Sequence, residues 1–199
     1  MEIVVATRNK GKIKEILSFG IPSIIFTSLE KYPEIGEIEE TGSTFTDNAL
    51  LKARHVCNST GLPALADDSG LVVDALNGEP GVYSARFGNL KTDEERYMLL
   101  LQKMQDVPDD RRHARFVCVM ALVFPDGREY TEEGICEGII AKEPAGENGF
   151  GYDPVFYIPE LGKTMAQLPL DVKNAISHRA RALQKVKILL EKIVGEKTI

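Results

Sequence analysis

The sequence has no apolar run long enough to span a membrane, and its first residues lack the layout of a signal peptide. We therefore expect a cytoplasmic protein with no membrane partner. A positive charge balance is also missing. The net charge of -6 disfavours a broad non-specific nucleic-acid surface, and no aromatic segment of the RNP type is present. We expect no nucleic-acid partner.

Cysteines are few and scattered. Cys57, Cys118 and Cys136 lie far apart, each among apolar neighbours, which predicts buried thiols rather than disulfides or a zinc site. Internal repeats and low-complexity segments are also lacking. With 199 residues, of which 43% are apolar and 27% charged, the chain predicts a single domain over residues 1–199 with a sizeable core, in one or two lobes.

The first polar stretch follows a β-branched run at residues 2–6, typical of a buried strand. Ile13, Ile16 and Leu17 then recur at helical spacing, and a second strand is predicted over residues 21–29. A strand, a polar glycine-containing turn and a helix aim backbone amides at an anion. The turn matches neither the Walker pattern nor G-x-G-x-x-G, so a solvated turn stays open beside phosphate binding. The candidate phosphate ligands are Thr7, Arg8, Asn9, Lys10, Gly11 and Lys12.

Two adjacent carboxylates, Asp67 and Asp68, lie between the apolar runs at residues 62–65 and 71–76. Adjacent residues of an extended chain point to opposite faces, so the two are predicted to do different jobs. One would face a cleft and the other would bond to the scaffold. On this segment alone, an Asx-type turn before Gly70 is the more common outcome. The neighbouring motifs favour a catalytic site over a simple turn.

A capping-box pattern at Thr44 predicts a helix that continues to about Cys57. Asn48, Lys52 and His55 share one face of it, at i, i+4 and i+7. Lys52 is interpreted either as an ordinary surface lysine or, if this face lines a cleft, as a phosphate ligand. The acidic residues before this helix are usually solvated in proteins, although a carboxylate among them could reach a metal.

The second half of the chain predicts a mixed sheet and a ring-binding loop. Residues 113–124 and 129–141 form an antiparallel hairpin around a Pro-Asp-Gly turn. Glycines on both sides of Phe150 let backbone approach a ligand, and its ring offers a face to a planar base; an ordinary glycine-rich turn is the alternative. A final helix is predicted over residues 171–194, with room for a kink near Ser177.

Four motifs occur in order along the chain, and their combination is more specific than any one alone. They are Thr7-x-Asn9-x-x-Lys12, Ala66-Asp67-Asp68-Ser69-Gly70, Phe150-Gly151-Tyr152-Asp153 and Ser177-His178-Arg179. Together they resemble the inosine triphosphate pyrophosphatase family over essentially the whole chain.

This resemblance implies an α/β fold with an elongated mixed β-sheet flanked by helices, two lobes and a central cleft. It also implies a homodimer and a requirement for Mg2+. The implied reaction is hydrolysis of ITP, dITP or XTP to the monophosphate and pyrophosphate, which keeps deaminated purines out of DNA and RNA.

At the reaction centre, the resemblance implies that Asp68 is the proton acceptor and a metal ligand. Asp67, Glu39 and Glu40 are its candidate partners, because Mg2+ needs only one or two carboxylates besides phosphate. Asp68 could instead position a metal-bound water without taking its proton. The charges of three phosphates also favour Lys52 as a ligand.

Base selection follows from the 6-keto acceptor that inosine and xanthine carry where adenine carries an amino donor. A donor such as Arg179 would be left unpaired against adenine, which is costly in a buried pocket. Phe150 is predicted to stack on the ring, and Ser69 to contact the substrate nearby. The other predicted substrate-binding residues are Gly151, Tyr152, Asp153, Lys173 and His178.

Two rival functions remain. The first is a related pyrophosphatase of the Maf-like group, acting on modified pyrimidine nucleotides. The pair His178-Arg179 and the loop around Phe150 argue against it. The second is a nucleotide-binding protein without catalysis, which would have no need of Asp68.

Overall fold

The computed structural model describes residues 1–18, 20 and 23–196. Within these residues, seven strands form one sheet in the order β2-β1-β3-β4-β5-β6-β7. Strand β1 pairs in parallel with β2 and β3, whereas β6 pairs antiparallel with β5 and β7. The strands are β1 Glu2–Val5, β2 Ile25–Ser28, β3 Ala64–Val73, β4 His113–Val123, β5 Glu129–Ile140, β6 Phe156–Ile158 and β7 Lys163–Thr164. The predicted mixed α/β sheet is confirmed.

The predicted hairpin is present, and the predicted second strand is shorter than expected. Strands β4 and β5 are neighbours in the sheet, and the Phe124 N–H donates to the Arg128 carbonyl at 2.9 Å in the connection between them, as predicted for a hairpin. The strand predicted over residues 21–29 is observed only at Ile25–Ser28. Residues 21 and 22 lie outside the described residues.

The described part of the chain also contains five α-helices: α1 Lys10–Ser18, α2 Phe45–Thr60, α3 Asp93–Lys103, α4 Leu170–Ile176 and α5 His178–Glu196. The capping box before α2 is complete: the Thr44 hydroxyl accepts the Asp47 N–H, and the Asp47 carboxylate accepts the Thr44 N–H. The predicted final helix is divided into α4 and α5, and the break falls at Ser177, where a kink was allowed. Ser177 is extended (φ −65°, ψ 155°), a conformation that serine favours at helix ends because its hydroxyl can hydrogen-bond nearby backbone groups.

The described residues form two compact units. Unit 1 comprises the described parts of residues 1–68, 118–134 and 179–199, and unit 2 comprises residues 69–117 and 135–178. Each unit has an apolar core of its own. Fully buried members are Ile3, Leu65, Met120, Leu122 and Leu190 in unit 1, and Leu71, Leu100, Val155, Phe156 and Met165 in unit 2. The predicted single domain with its central cleft stays a prediction.

The cysteines lie in these interiors. Cys57, Cys118 and Cys136 are all buried thiols, which confirms the interpretation made from their apolar neighbours. No described helix combines the length and the apolar character needed to cross a membrane.

Candidate active site

The central carboxylates lie on β3, which runs without interruption from Ala64 to Val73. The alternative of an Asx-type turn is therefore wrong. Asp67 and Asp68 are 1% and 5% exposed, and they bind different partners, as the alternation of an extended chain requires. The two carboxylates thus bind different groups, and their division into a cleft-facing residue and a scaffold-binding residue stays a prediction.

Asp68 is held by two residues of helix α2. Its Oδ1 lies 2.9 Å from the Lys52 Nζ, and its Oδ2 accepts from the Asn48 Nδ2 at 3.3 Å. The same Nζ lies 2.6 Å from Glu40 Oε1, so one ammonium joins two carboxylates. Lys52 is only 8% exposed, and its interpretation as a surface lysine is wrong. The third residue of the predicted face, His55, is exposed.

The pKa values of Asp68 and Lys52 are both raised in this cluster. Burial raises the pKa of Asp68 above its ordinary value; Lys52 opposes this, and Glu40 adds to it. Burial acts to lower the pKa of Lys52, but the nearby charges of Asp68, Asp67 and Glu40 outweigh it and raise that pKa. Lys52 therefore stays a cation, and Asp68 is a stronger proton acceptor than an ordinary aspartate.

Asp67 is bound by cations instead. Its Oδ2 lies 2.9 Å from the Lys12 Nζ and accepts from the Nε and Nη2 of Arg179 at 3.4 and 3.3 Å. Burial acts to raise the pKa of Asp67, but Lys12 and Arg179 hold it well below its usual range. Arg179 is 2% exposed and also donates from Nη1 to Glu15. Glu15 was missed from the sequence, although it lies on the face of α1 that carries Lys12, at i, i+3.

The predicted phosphate-binding stretch forms the start of helix α1. The Asn9 Oδ1 accepts the Lys12 N–H at 3.1 Å, and the Asn9 N–H donates to the Thr7 Oγ1 at 3.2 Å. Asn9 thus organises the first turn, in which Lys10, Gly11 and Lys12 lie. Arg8 donates to the Ile35 carbonyl at 2.6 Å, so it ties this stretch to the segment that leads to Glu40.

The two candidate metal-binding glutamates differ. The structure brings Glu40 to Lys52 and Asp68, whereas Glu39 is exposed and its part in a metal site stays a prediction. Among residues 1–18, 20 and 23–196, no three His, Cys, Asp or Glu side chains converge as a metal site. Mg2+ can be held by two carboxylates together with phosphate and water. The oxygens of Asp68 and Glu40, already gathered around one positive charge, fit that requirement.

Unit 2 contains the predicted ring-binding group. The Asp153 Oδ2 accepts from the Phe150 N–H at 2.9 Å and from the Lys173 Nζ at 2.7 Å. That Nζ also lies 4.7 Å from the centroid of the Phe150 ring. Gly149 has a φ of +81°, and a Cβ there would collide with the Asp153 carboxylate. The buried Asp153–Lys173 pair therefore fixes the loop, and the ring of Phe150 stays half-buried.

Further predicted substrate contacts in unit 2 have structural partners. The Tyr152 hydroxyl donates to the Ser84 carbonyl at 2.8 Å, and the Gly151 N–H donates to Asp93 at 2.7 Å. The imidazole of His178 stacks on Phe116 with ring centroids 4.8 Å apart. Their roles as substrate ligands, and that of the half-buried Ser69, stay predictions. The contacts of Ser84, Asp93 and Phe116 were not predicted, because the paired residues lie 58 or more positions apart in the sequence.

Comparisons with known proteins agree on one family. The sequence model of the Ham1 family matches residues 3–189. A relative from Geobacter sulfurreducens named dITP/XTP pyrophosphatase is 54% identical, over 93% of this chain and 94% of that protein. A Thermus thermophilus relative of the same name is 51% identical, over 92% and 89%. The solved structure of a HAM1 protein from Coxiella burnetii is 45% identical with a TM-score of 0.89, covering 96% of this chain and 99% of that one.

Proposed function

The chain belongs to the Ham1 family, and from this membership we propose that it hydrolyses dITP, XTP and ITP to the monophosphate and pyrophosphate. Relatives named dITP/XTP pyrophosphatase, at 54% and 51% identity over nearly the whole length, support the substrate class. The observation that carries the chemistry is the buried cluster in which Lys52 joins Asp68 and Glu40. Such an activity would keep deaminated purines out of DNA and RNA.

In the proposed reaction, Asp68 accepts a proton from the water that attacks phosphorus at the α–β anhydride. The new oxygen–phosphorus bond forms as the bond to the departing pyrophosphate breaks. Burial gives Asp68 the raised pKa that such a proton acceptor needs. Its two oxygens are held by Lys52 and Asn48, which limits the rotation of the carboxylate.

The phosphates are proposed to bind Lys12, Lys52 and the first turn of helix α1. Backbone N–H groups at a helix N-terminus favour anions. The Lys12 N–H already donates to the Asn9 Oδ1, so the N–H groups of Lys10 and Gly11 are the proposed donors to phosphate. The side chain of Lys10 is exposed at the same turn. Lys12 is bound to Asp67, so a phosphate that binds this ammonium takes the place of the Asp67 carboxylate.

We propose that Mg2+ takes part, held by Asp68 and Glu40. A bound Mg2+ supplies positive charge that offsets the charge developing on the phosphate oxygens. The base is proposed to stack on Phe150. The guanidinium of Arg179 already donates to Asp67 and Glu15, so in the proposed discrimination of the 6-keto group from an amino group it exchanges one of these carboxylates for the base. The binding of Arg179 to Asp67 and Glu15 fixes the orientation in which its guanidinium is held.

A panel of nucleoside triphosphates with Mg2+ tests the proposal, with pyrophosphate and orthophosphate measured separately. Pyrophosphate from dITP, XTP and ITP, with little from ATP or GTP, is the expected result. Orthophosphate as the first product would mean that a terminal phosphate is removed and would contradict the proposed bond cleavage. Binding without turnover on every nucleotide would favour the non-catalytic alternative.

Phe150→Ala is expected to lower kcat/KM for ITP by roughly 5- to 150-fold, because stacking of one base on an aromatic ring contributes about 1 to 3 kcal/mol. The backbone N–H of residue 150 that binds Asp153 remains in this variant. Inorganic tripolyphosphate has no base, so its inhibition constant is the control and should stay unchanged. Equal losses for ITP and tripolyphosphate would show a general disturbance instead of a lost stack.

A homodimer and a cytoplasmic location are also proposed, on the strength of the family resemblance. Light scattering coupled to size-exclusion chromatography measures the mass in solution. A mass of one chain at micromolar concentration would contradict the dimer.

A further inference from the structure

Asn48 is not among the residues proposed to contact the substrate, yet it is among the most deeply buried polar side chains. It lies in the first turns of helix α2 with no exposed surface. Its Oδ1 accepts the Gly42 N–H at 2.8 Å, and its Nδ2 donates to the Asp68 Oδ2 at 3.3 Å. A backbone N–H can only donate, so the oxygen of the carboxamide must face Gly42 and the nitrogen must face Asp68.

These contacts are part of a closed ring. Lys52 lies one turn after Asn48 on the same face of α2 and binds the other oxygen of Asp68 together with Glu40. Gly42 follows Glu40 by two residues. Asn48 and Lys52, on one face of α2, thus hold both oxygens of Asp68. They also hold the segment that carries Glu40: Lys52 binds the Glu40 carboxylate, and Asn48 binds the Gly42 N–H.

The backbone at Gly42 leaves the carboxamide little freedom. A Cβ at this position would lie 2.6 Å from the Asn48 Oδ1 and 2.9 Å from its backbone nitrogen, closer than real Cβ contacts. The backbone at Gly42 therefore packs directly against Asn48, and only a glycine, which has no Cβ, allows this contact.

We propose that Asn48 is a positioning residue for the reaction: its carboxamide orients Asp68 and holds the segment that carries Glu40. It acts through those carboxylates and does not touch the reacting atoms. The inference rests on the proposed function for the identity of the reacting group, while the contacts stand on the structure alone.

The decisive variant is Asn48→Asp. It keeps an oxygen for the Gly42 N–H but replaces the donor to Asp68 with a second carboxylate, which repels it. A misplaced reacting group can cost about 100-fold in rate, so we expect kcat for ITP to fall by about that factor, with a much smaller change in KM. The matched control is Asn58→Asp, the same exchange at an exposed position of α2, which should keep the wild-type kcat.

A second measurement separates the contact of Asn48 with Gly42 from its contact with Asp68. Hydrogen exchange of the Gly42 amide should accelerate in Asn48→Ala and stay slow in Asn48→Asp, which keeps the acceptor. If Asn48→Asp does not fold, Gly42→Ala disturbs the carboxamide from the other side and should also lower kcat more than it changes KM.

The outcomes distinguish this inference from the proposed function. If the wild type is active and Asn48→Asp keeps the wild-type kcat, the inference alone is overturned. If Asn48→Asp does not fold, a wild-type kcat in Gly42→Ala overturns it instead. A wild type that releases no pyrophosphate from ITP would overturn the proposed function and, with it, the role of Asn48 in the reaction.

Discussion

Asp68→Asn is expected to reduce kcat for ITP by about 100- to 10,000-fold, the usual contribution of a positioned general base. An asparagine amide has nearly the shape of the carboxylate but cannot accept the proton of the attacking water. Of the groups proposed to bind the phosphates, Lys12 and the first turn of α1 are untouched, and Lys52 loses its charged contact with Asp68 but keeps Glu40. Binding of ITP should therefore survive the loss of turnover.

The experiment measures pyrophosphate release with Mg2+ and, separately, the affinity of the inactive variant for ITP by calorimetry. Asp109→Asn, at an exposed aspartate that pairs with Lys142, is the control and should match the wild type. A melting curve of each variant is needed, because Asp68→Asn leaves the buried Lys52 with Glu40 as its near anion. Wild-type rates in Asp68→Asn would remove Asp68 from the role of base.

Asp67→Ala is expected to lower the free energy of unfolding by about 3 to 5 kcal/mol, the cost of leaving a buried charge without its partner. Asp67 is buried, and a single oxygen of its carboxylate binds both Lys12 and Arg179. Without it, Arg179 keeps Glu15 as its bound carboxylate but faces a cavity on the other side. Few substitutions outside the apolar cores should destabilise the protein as much.

Urea unfolding at pH 7 checks this value, with Asp109→Ala as the control, for which less than about 1 kcal/mol is expected at an exposed pair.

The contribution of Asp67 to stability depends on pH in a definite direction. The folded-state pKa of Asp67 is depressed, so its ionised form contributes stability above the unfolded value of about 3.9. That contribution is lost as the pH falls through the folded pKa. Equal effects of Asp67→Ala and Asp109→Ala would contradict the network.

Much of this arrangement was predictable because it depends on local rules. The capping box at Thr44 predicted the start of α2, and the alternation of an extended chain predicted different partners for Asp67 and Asp68. The resemblance of four short motifs then indicated the family, which the comparisons confirm. These signals each lie within a few residues of sequence.

The remaining features depend on contacts that sequence spacing does not encode. Glu15 and Arg179 meet across 164 residues, and nothing in the pattern of α1 selects that partner. Lys52 reads as a surface lysine until the fold buries it between two carboxylates. The break at Ser177 was expected as a kink, because helical spacing continues in the apolar residues on both sides of it.

The ion pairs of Lys12 and Lys52 have a consequence for the anions around the protein. Each ammonium is bound to a carboxylate of the protein itself. A simple anion such as orthophosphate must therefore break one ion pair to form another, with little net gain. In the proposed binding mode, a triphosphate spreads its charges over several positions of one molecule and replaces both pairs in a single binding event. The two ion pairs would then favour polyanions over simple inorganic anions.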